Sequence, residues 1–166
     1  MIHSFDIQLQ VSLRALEDVV APALAGAEKH VVEQLMLSIA TIGFVKARLP
    51  EARRFYRMEL RRCIEMAEEA GEIAGRTEFL ADAIAAGQHA LADPEAENAD
   101  FETASRNLRD LVTALSHACV GLPCQARLEA ALLERSGALV AQYRQWCAPI
   151  GFELDPGALP PAAWLD

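Results

Sequence analysis

Apolar residues recur along most of this chain at steps of three and four, the spacing that marks one face of an α-helix. The clearest run lies in residues 101–119, where successive apolar positions are separated by 3, 4, 3, 4 and 4 residues. Its members are Phe101, Ala104, Leu108, Leu111, Leu115 and Cys119. The β-branched and aromatic residues are too scattered to supply a set of strands. The pattern therefore predicts an all-α fold of helical-bundle type.

Capping residues, prolines and glycines divide this pattern into five or six helices. The first helix follows Ser4 and kinks or stops between Ala21 and Gly26, since Pro22 interrupts its hydrogen bonds. Further on, Asp93 and Pro94 can start the fifth helix early, as cap and first helical residue. We expect helices at about residues 5–24, 27–49, 50–74, 77–91, 101–119 and 123–147.

The most apolar stretch of the chain is LMLSIATIGFV, residues 35–45. Its eleven residues are fewer than the roughly 20 that a helix needs to span a bilayer. Charged residues flank it on both sides, at Glu33 and Lys46. The stretch predicts the most buried, central helix of the bundle rather than a membrane span.

The composition changes after residue 148, where prolines and glycines become frequent and an α-helix cannot continue. We expect a helical bundle over residues 1–148 and an extended, Pro-rich C-terminal tail over residues 149–166. The tail also carries large apolar residues, among them Phe152 and Trp164. Such residues favour docking in a groove, either on the same bundle or on a second subunit.

The net charge and the cysteine content limit the classes of partner that the chain is expected to bind and the compartment in which it is expected to reside. The net charge is -9, and an acidic surface disfavours nucleic acid because binding to phosphates requires cationic side chains. The four cysteines show no dense disulfide framework, and no secretory leader precedes the first helix. These features predict a cytoplasmic protein that binds neither nucleic acid nor membrane.

His30 and Glu33 are the first candidate pair of site residues, because one helical turn separates them. A metal or acid-base role would need ligands from other helices, such as Glu59 or His117. The Glu-x-x-His pairs of di-metal bundles are absent from the sequence, so we predict no metal and no cofactor. The alternative is that both residues are ordinary solvated side chains.

A basic cluster between Lys46 and Arg62 is the second candidate feature. Arg57 and Arg61 lie on adjacent turns of the predicted third helix and can bind a phosphate or a carboxylate together. The alternative is a solvated face whose charges are offset by nearby glutamates. An anion site would lie between helices two and three, where Arg57 or Arg61 faces His30 or Glu33.

The opening residues Leu16, Glu17, Val20, Pro22 and Leu24, followed by an aliphatic helix and then a basic-acidic helix, resemble a group of small helical bacterial proteins of uncharacterised function. Members of that group are encoded beside aminoglycoside-phosphotransferase-like kinases and acyl-CoA dehydrogenases. The resemblance covers about the first 75 residues. It implies an accessory role in a bacterial catabolic pathway, and it carries over no catalytic residue.

Two functions follow as hypotheses. The first is a non-catalytic accessory or interaction protein, homodimeric through its tail or a helix face, with a protein partner. The second is a small-ligand-binding or enzymatic bundle that uses the anion or metal site between helices two and three. The sequence names no substrate for either.

Overall fold

The computed structural model describes residues 4–165, and all of its regular structure in that range is helical. Six helices of eleven or more residues follow one another within these residues. They are α1 (Phe5–Ala15), α2 (Lys29–Arg48), α3 (Ala52–Ala74), α4 (Thr77–Ala92), α5 (Asn98–Ala118) and α6 (Gln125–Cys147). The predicted all-α fold is therefore confirmed.

The helix ends follow local chemistry. The Ser4 hydroxyl accepts a hydrogen bond from the Ile7 amide and caps α1, as predicted. After α1 the chain makes a π-helical turn, Leu16–Val20, and a short helix, Ala21–Ala23, which contains Pro22. α3 ends at Gly75, whose φ of 63° is the left-handed conformation that glycine adopts without steric cost.

The predicted early start of α5 is wrong. Asp93 instead accepts a hydrogen bond from the Glu95 amide at 2.8 Å and so stabilises a turn. α5 begins at Asn98, where Glu97 and Asp100 form a reciprocal capping box. The box satisfies two backbone amides at the start of α5.

The chain divides into two compact units. The first consists of Met1–Pro50 with Arg144–Leu159, and the second of Glu51–Tyr143 with Pro160–Asp166, as far as these ranges are described. α1 and α2 belong to the first unit, and α3, α4 and α5 to the second. The two units are called the first and the second unit below. The predicted boundary at residue 148 differs from this division and stays a prediction.

The second unit has a continuous hydrophobic core. Packing among α3, α4 and α5 buries Leu60, Leu80, Phe101 and Leu108 completely. α3 and α4 approach closely at Gly87, where an added Cβ would lie 3.1 Å from Ile64 Cδ1. Leu128 and Leu139 of α6 join the same core. This unit has the packing expected of a helical bundle.

The first unit is packed differently. Leu13 is its one buried hydrophobic side chain among the described residues. α2, which contains the most apolar stretch of the chain, has no buried residue. The expectation that this helix is the most buried and central one is therefore wrong. Its apolar circumference led to the expectation, but burial depends on how many neighbouring elements cover a helix.

The C-terminal segment contains two short 3-10 turns, Ala148–Ile150 and Pro156–Ala158, so its predicted extended form is not confirmed. Its apolar residues differ in environment. In the first unit Phe152 is 72% exposed. In the second unit Trp164 is buried, with its ring centroid 5.4 Å from that of Phe55. No helix in residues 4–165 has the length and apolar character that crossing a membrane requires.

Candidate functional site

His30 and Glu33 lie on the exposed side of the first turns of α2. The His30 Nδ1 atom is 3.3 Å from Glu28 Oε2, and the Glu33 carboxylate is 3.5 Å from the Lys29 ammonium. Exposed pairs of this kind contribute little to stability. Within residues 4–165, no group of three or more His, Cys, Asp or Glu side chains is arranged to hold a metal ion.

Arg57 and Arg61 lie on α3 in the second unit and line one cavity of about 310 Å³. The two arginines differ in how they are held. The Arg57 guanidinium donates a hydrogen bond to the Leu91 carbonyl at 2.8 Å and lies 5.5 Å from the centre of the Phe101 ring. Arg61 is exposed and donates no hydrogen bond to any residue in the described range 4–165.

The four predicted site residues thus fall into two pairs. Arg57 and Arg61 share a cavity of the second unit, whereas His30 and Glu33 belong to the first unit. A single site that contains both pairs stays a prediction. Arg54, one turn before Arg57, lines the same cavity and extends the predicted pair to three arginines.

A buried polar network connects α3, α5 and α6. The Glu59 carboxylate is buried and accepts hydrogen bonds from Arg109 at 2.6 Å and from the Tyr143 hydroxyl at 2.5 Å. Arg109 also donates to the Tyr143 oxygen at 2.9 Å. The three groups therefore satisfy one another, as a charged side chain in a core requires.

The network changes the acidity of its members. Burial, together with the hydrogen bond to Glu59, raises the pKa of the Tyr143 hydroxyl well above its ordinary value. Burial alone would lower the pKa of Arg109, but its hydrogen bond to Glu59 and the nearby charges of Tyr143, Cys63 and Glu59 together outweigh this and raise it. Tyr143 therefore stays protonated and Arg109 stays charged at neutral pH, which suits a structural link rather than proton transfer.

The sequence analysis names Glu59 only as a metal ligand from another helix. It missed the network, because Glu59 and Arg109 are 50 residues apart and Glu59 and Tyr143 are 84 apart. The one available signal was a glutamate at an inward position of α3, between the buried residues Met58 and Leu60.

The cysteines are all free thiols. Cys63 and Cys119 are buried, and burial raises the pKa of the Cys63 thiol to about 11. A thiol with a raised pKa is a poor nucleophile at neutral pH. Cys63 and Cys119 therefore serve as small apolar residues of the core.

An open apolar groove of about 490 Å³ lies on the first unit. α2 and the segment after α6 form its walls, and Glu33 is among the residues that line it. The lining residues are Val32, Glu33, Gln34, Met36, Leu37, Ala40, Ile150 and Phe152. The sequence does not predict the groove, because residues 35–45, which include its lining residues Met36, Leu37 and Ala40, are predicted to form the most buried helix.

Comparison with known proteins adds no relative to this picture. No protein-family model, no curated protein and no solved structure matches the chain. The candidate features are therefore interpreted from their own geometry.

Proposed function

We propose that the protein acts through protein contacts, as a homodimer that associates through the apolar face of the first unit. The observation that carries this proposal is the exposure of α2, which contains the most apolar stretch of the chain and has no buried residue. Contiguous exposed apolar surface on a soluble domain is typical of an interaction site.

The apolar face extends over both helices of the first unit. On α2 and just after it, Met36, Leu37, Val45 and Leu49 are exposed, with Leu37 at 44%. On α1 and the turn after it, Ile7, Val11 and Val19 are exposed, with Val19 at 67%. Full burial of one such side chain stabilises a structure by about 1.5–3 kcal/mol, so covering this face would give a large driving force for association.

The size of the apolar face supports a second copy of this chain as the partner that covers it. A twenty-residue helix such as α2 is about 30 Å long, and two neighbouring helices present a surface on the order of 600 Å². A stable interface takes about 800 Å² from each partner. The face together with the groove residues Ile150 and Phe152 approaches that area.

The distribution of charge supports a two-fold arrangement. Residues 34–45 of α2 carry no charge, whereas Glu28, Lys29 and Glu33 give its start a net negative charge and Lys46 and Arg48 give its last turn a positive one. Two copies of α2 that pack antiparallel would bring the acidic end of each helix near the basic end of the other. A closed dimer needs such self-complementarity.

The experiment is a measurement of solution mass by light scattering, on the wild type and on two matched variants. The wild type is expected to elute at twice the chain mass of 18.1 kDa. Leu37→Glu places a charge in the centre of the apolar face and is expected to give monomers. Leu133→Glu is the control, because Leu133 is 75% exposed on α6 in the second unit, and it should remain dimeric.

The outcomes separate the existence of the dimer from its location. A monomeric wild type would contradict the proposal. A dimer that survives Leu37→Glu and dissociates in Leu133→Glu would move the interface to α6 and overturn the assignment to the first unit. Circular dichroism of both variants confirms that each remains helical.

We further propose an accessory role for this homodimer in a bacterial catabolic pathway, with residence in the cytoplasm. The resemblance of the opening residues supports the pathway, and the four free thiols suit a reducing compartment. The test is affinity capture of the tagged chain from its native cell, with mass spectrometry of the bound protein. A metabolic enzyme in stoichiometric amount is expected, and recovery of the chain alone would contradict the accessory role.

A further inference from the structure

Three arginines line one cavity of the second unit. Arg54, Arg57 and Arg61 follow one another on α3, and residues 163–165 of the C-terminal segment form the opposite wall. The cavity volume is about 310 Å³, near the lower end for small-ligand sites. Met58 and Trp164, both buried, supply its apolar surface.

Two of the three arginines have no partner among the described residues. Arg54 and Arg61 make no hydrogen bond and no ion pair with any residue between 4 and 165. Neighbouring arginines of the second unit are engaged, since Arg53 binds the Pro94 and Ala96 carbonyls and Arg62 pairs with Glu65. The free guanidinium groups are therefore a property of the cavity and not of the helix as a whole.

The acids at helical spacing from these arginines are engaged elsewhere. Glu65, four residues after Arg61, binds Arg62 at 3.2 Å and Arg135 at 3.3 Å. Glu51, three residues before Arg54, accepts a hydrogen bond from the Trp164 indole at 2.9 Å. Neither carboxylate neutralises the cavity, and no acidic residue among the described residues 4–165 lines it.

The positive charge is concentrated enough to affect the arginine between the other two. Burial, and then the charges of Arg61 and Arg53, lower the pKa of Arg57. This occurs in a chain whose net charge is -9. Unneutralised like charges held together in a concave surface attract a counter-ion.

We propose that this cavity is a binding site for a small oxyanion with two negative charges, carried by a phosphate monoester or a dicarboxylate. Arg54 and Arg61 would bind it, because their guanidinium groups are free and present forked donors that match such groups. They lie seven residues apart, about 10 Å along the helix axis, so the ligand sits between them at the level of Arg57 and Met58. Its apolar part would contact Trp164.

The site is independent of the proposed dimer, since it belongs to the second unit. It retains Arg57 and Arg61 of the site predicted from the sequence and adds Arg54. It requires neither His30 nor Glu33. Arg57 has its own partner in the Leu91 carbonyl, so its main contribution is charge.

The test is a titration of the 166-residue chain at low ionic strength, monitored by calorimetry and by Trp fluorescence. The probes are phenyl phosphate, succinate and inorganic phosphate, with acetate as a singly charged control. We expect saturable binding of a doubly charged probe in the millimolar range or tighter. Binding should weaken with added salt, because screening reduces the attraction.

Matched variants locate the binding. Arg54→Gln/Arg61→Gln is expected to weaken binding at least tenfold, since each charged hydrogen bond is lost. The control is Arg127→Gln/Arg76→Gln, which changes the net charge equally at positions outside the cavity and should alter binding by about twofold or less. The melting temperature of the first variant should not fall, because Arg54 and Arg61 bind no side chain or carbonyl within residues 4–165.

Each outcome decides the proposal. Preference for phenyl phosphate assigns a phosphate ester, and preference for succinate assigns a dicarboxylate, and both support the site. The absence of saturable binding with every probe overturns it. An equal loss in the control variant also overturns it, since binding would then follow net charge alone.

Discussion

The two units of this chain use apolar residues in opposite ways. The second unit buries its large side chains, so Phe101, Leu60 and Leu108 have no exposed surface. The first unit holds the most apolar stretch of the sequence, yet Leu13 is its one buried hydrophobic side chain among the described residues. Similar helical patterns therefore lead to a core in one unit and to an uncovered face in the other.

This difference shows what hydrophobic periodicity in a sequence measures. The pattern reports that a helix has an apolar side, and it does not report what covers that side. In the second unit α3, α4 and α5 cover one another. In the first unit the apolar surface of α2 exceeds what its own neighbours cover, and we propose that a second copy of the chain supplies the missing cover.

The largest expected difference between the units comes from a matched pair of phenylalanine truncations. Phe101→Ala is expected to lower the free energy of unfolding by about 5 kcal/mol, because it opens a cavity and removes the ring beneath Arg53 and Arg57. Phe152→Ala, at an exposed residue of the first unit, should change it by less than about 0.5 kcal/mol at low protein concentration. Urea denaturation measures both.

Repeating the denaturation at several protein concentrations separates the effects of the two truncations further. The effect of Phe152→Ala should grow as the protein is concentrated, because loss of an interface residue weakens the dimer. The effect of Phe101→Ala should not depend on concentration. Equal effects of the two truncations at every concentration would contradict the distinction between the units.

The next largest effect is expected in the buried network of the second unit. Arg109→Met leaves the Glu59 carboxylate buried with Tyr143 as its remaining partner, and should lower the free energy of unfolding by about 3 kcal/mol. Glu59→Gln in the same chain removes the buried charge and should recover most of that loss. Denaturation of the single and double variants measures the coupling, and an absence of recovery would show that Glu59 does not carry the cost.

Glycine substitutions give a smaller effect with opposite signs in the two units. Gly87→Ala is expected to destabilise by about 1–2 kcal/mol, because its Cβ would press on Ile64 and on Leu60, which cannot move within the core. Gly43→Ala in α2 meets no atom within 4 Å and should stabilise by about 0.5–1 kcal/mol through helix propensity. Thermal unfolding measures both, and the same sign at both positions would refute the contrast.

The smallest expected effect is a loss of stability at alkaline pH. Burial raises the pKa of Cys63 from 9.0 to about 11, so the unfolded chain loses this proton first. The contribution of this thiol to the free energy of unfolding is therefore fully present below pH 9 and is lost between pH 9 and 11. The loss from pH 8 to pH 10 is about 1 kcal/mol. Tyr143, whose pKa is also raised, adds a loss in the same direction above pH 10.

Cysteine variants assign this pH dependence. Cys63→Ala should make the alkaline loss shallower, whereas Cys147→Ala, at an exposed residue of the first unit, should leave it unchanged. The measurement is urea denaturation in a series of buffers from pH 7 to pH 11. An identical slope in wild type and Cys63→Ala would contradict the assignment to Cys63.

Local sequence was enough to predict much of the fold. The Ser4 cap, the break around Gly121 and the period of α5 are local properties, so the number of helices and most boundaries followed from them. The start of α5 did not follow from local sequence, because Asp93 and Glu97 both suit a cap and tertiary packing decides between them. The exposure of α2 could not be predicted from local sequence either, since it depends on neighbours that are distant in sequence.

The candidate sites were less predictable for the same reason. Arg53, Arg54, Arg57 and Arg61 look equivalent in the sequence, and they differ only in which face of α3 meets the segment from Leu91 to Phe101. That contact engages Arg53 and Arg57 and leaves Arg54 and Arg61 free. The pairing of Glu59 with Arg109 likewise requires knowledge of how α3 and α5 face each other.

Hydrogen exchange at two protein concentrations, read by mass spectrometry, tests the central claim most directly. The account predicts that amides of α2, residues 29–48, exchange fast in dilute protein and become protected as the dimer forms. Amides of α5, residues 98–118, should be protected equally at both concentrations. Fast exchange of α2 that does not change with concentration would contradict the claim that a second copy covers the first unit.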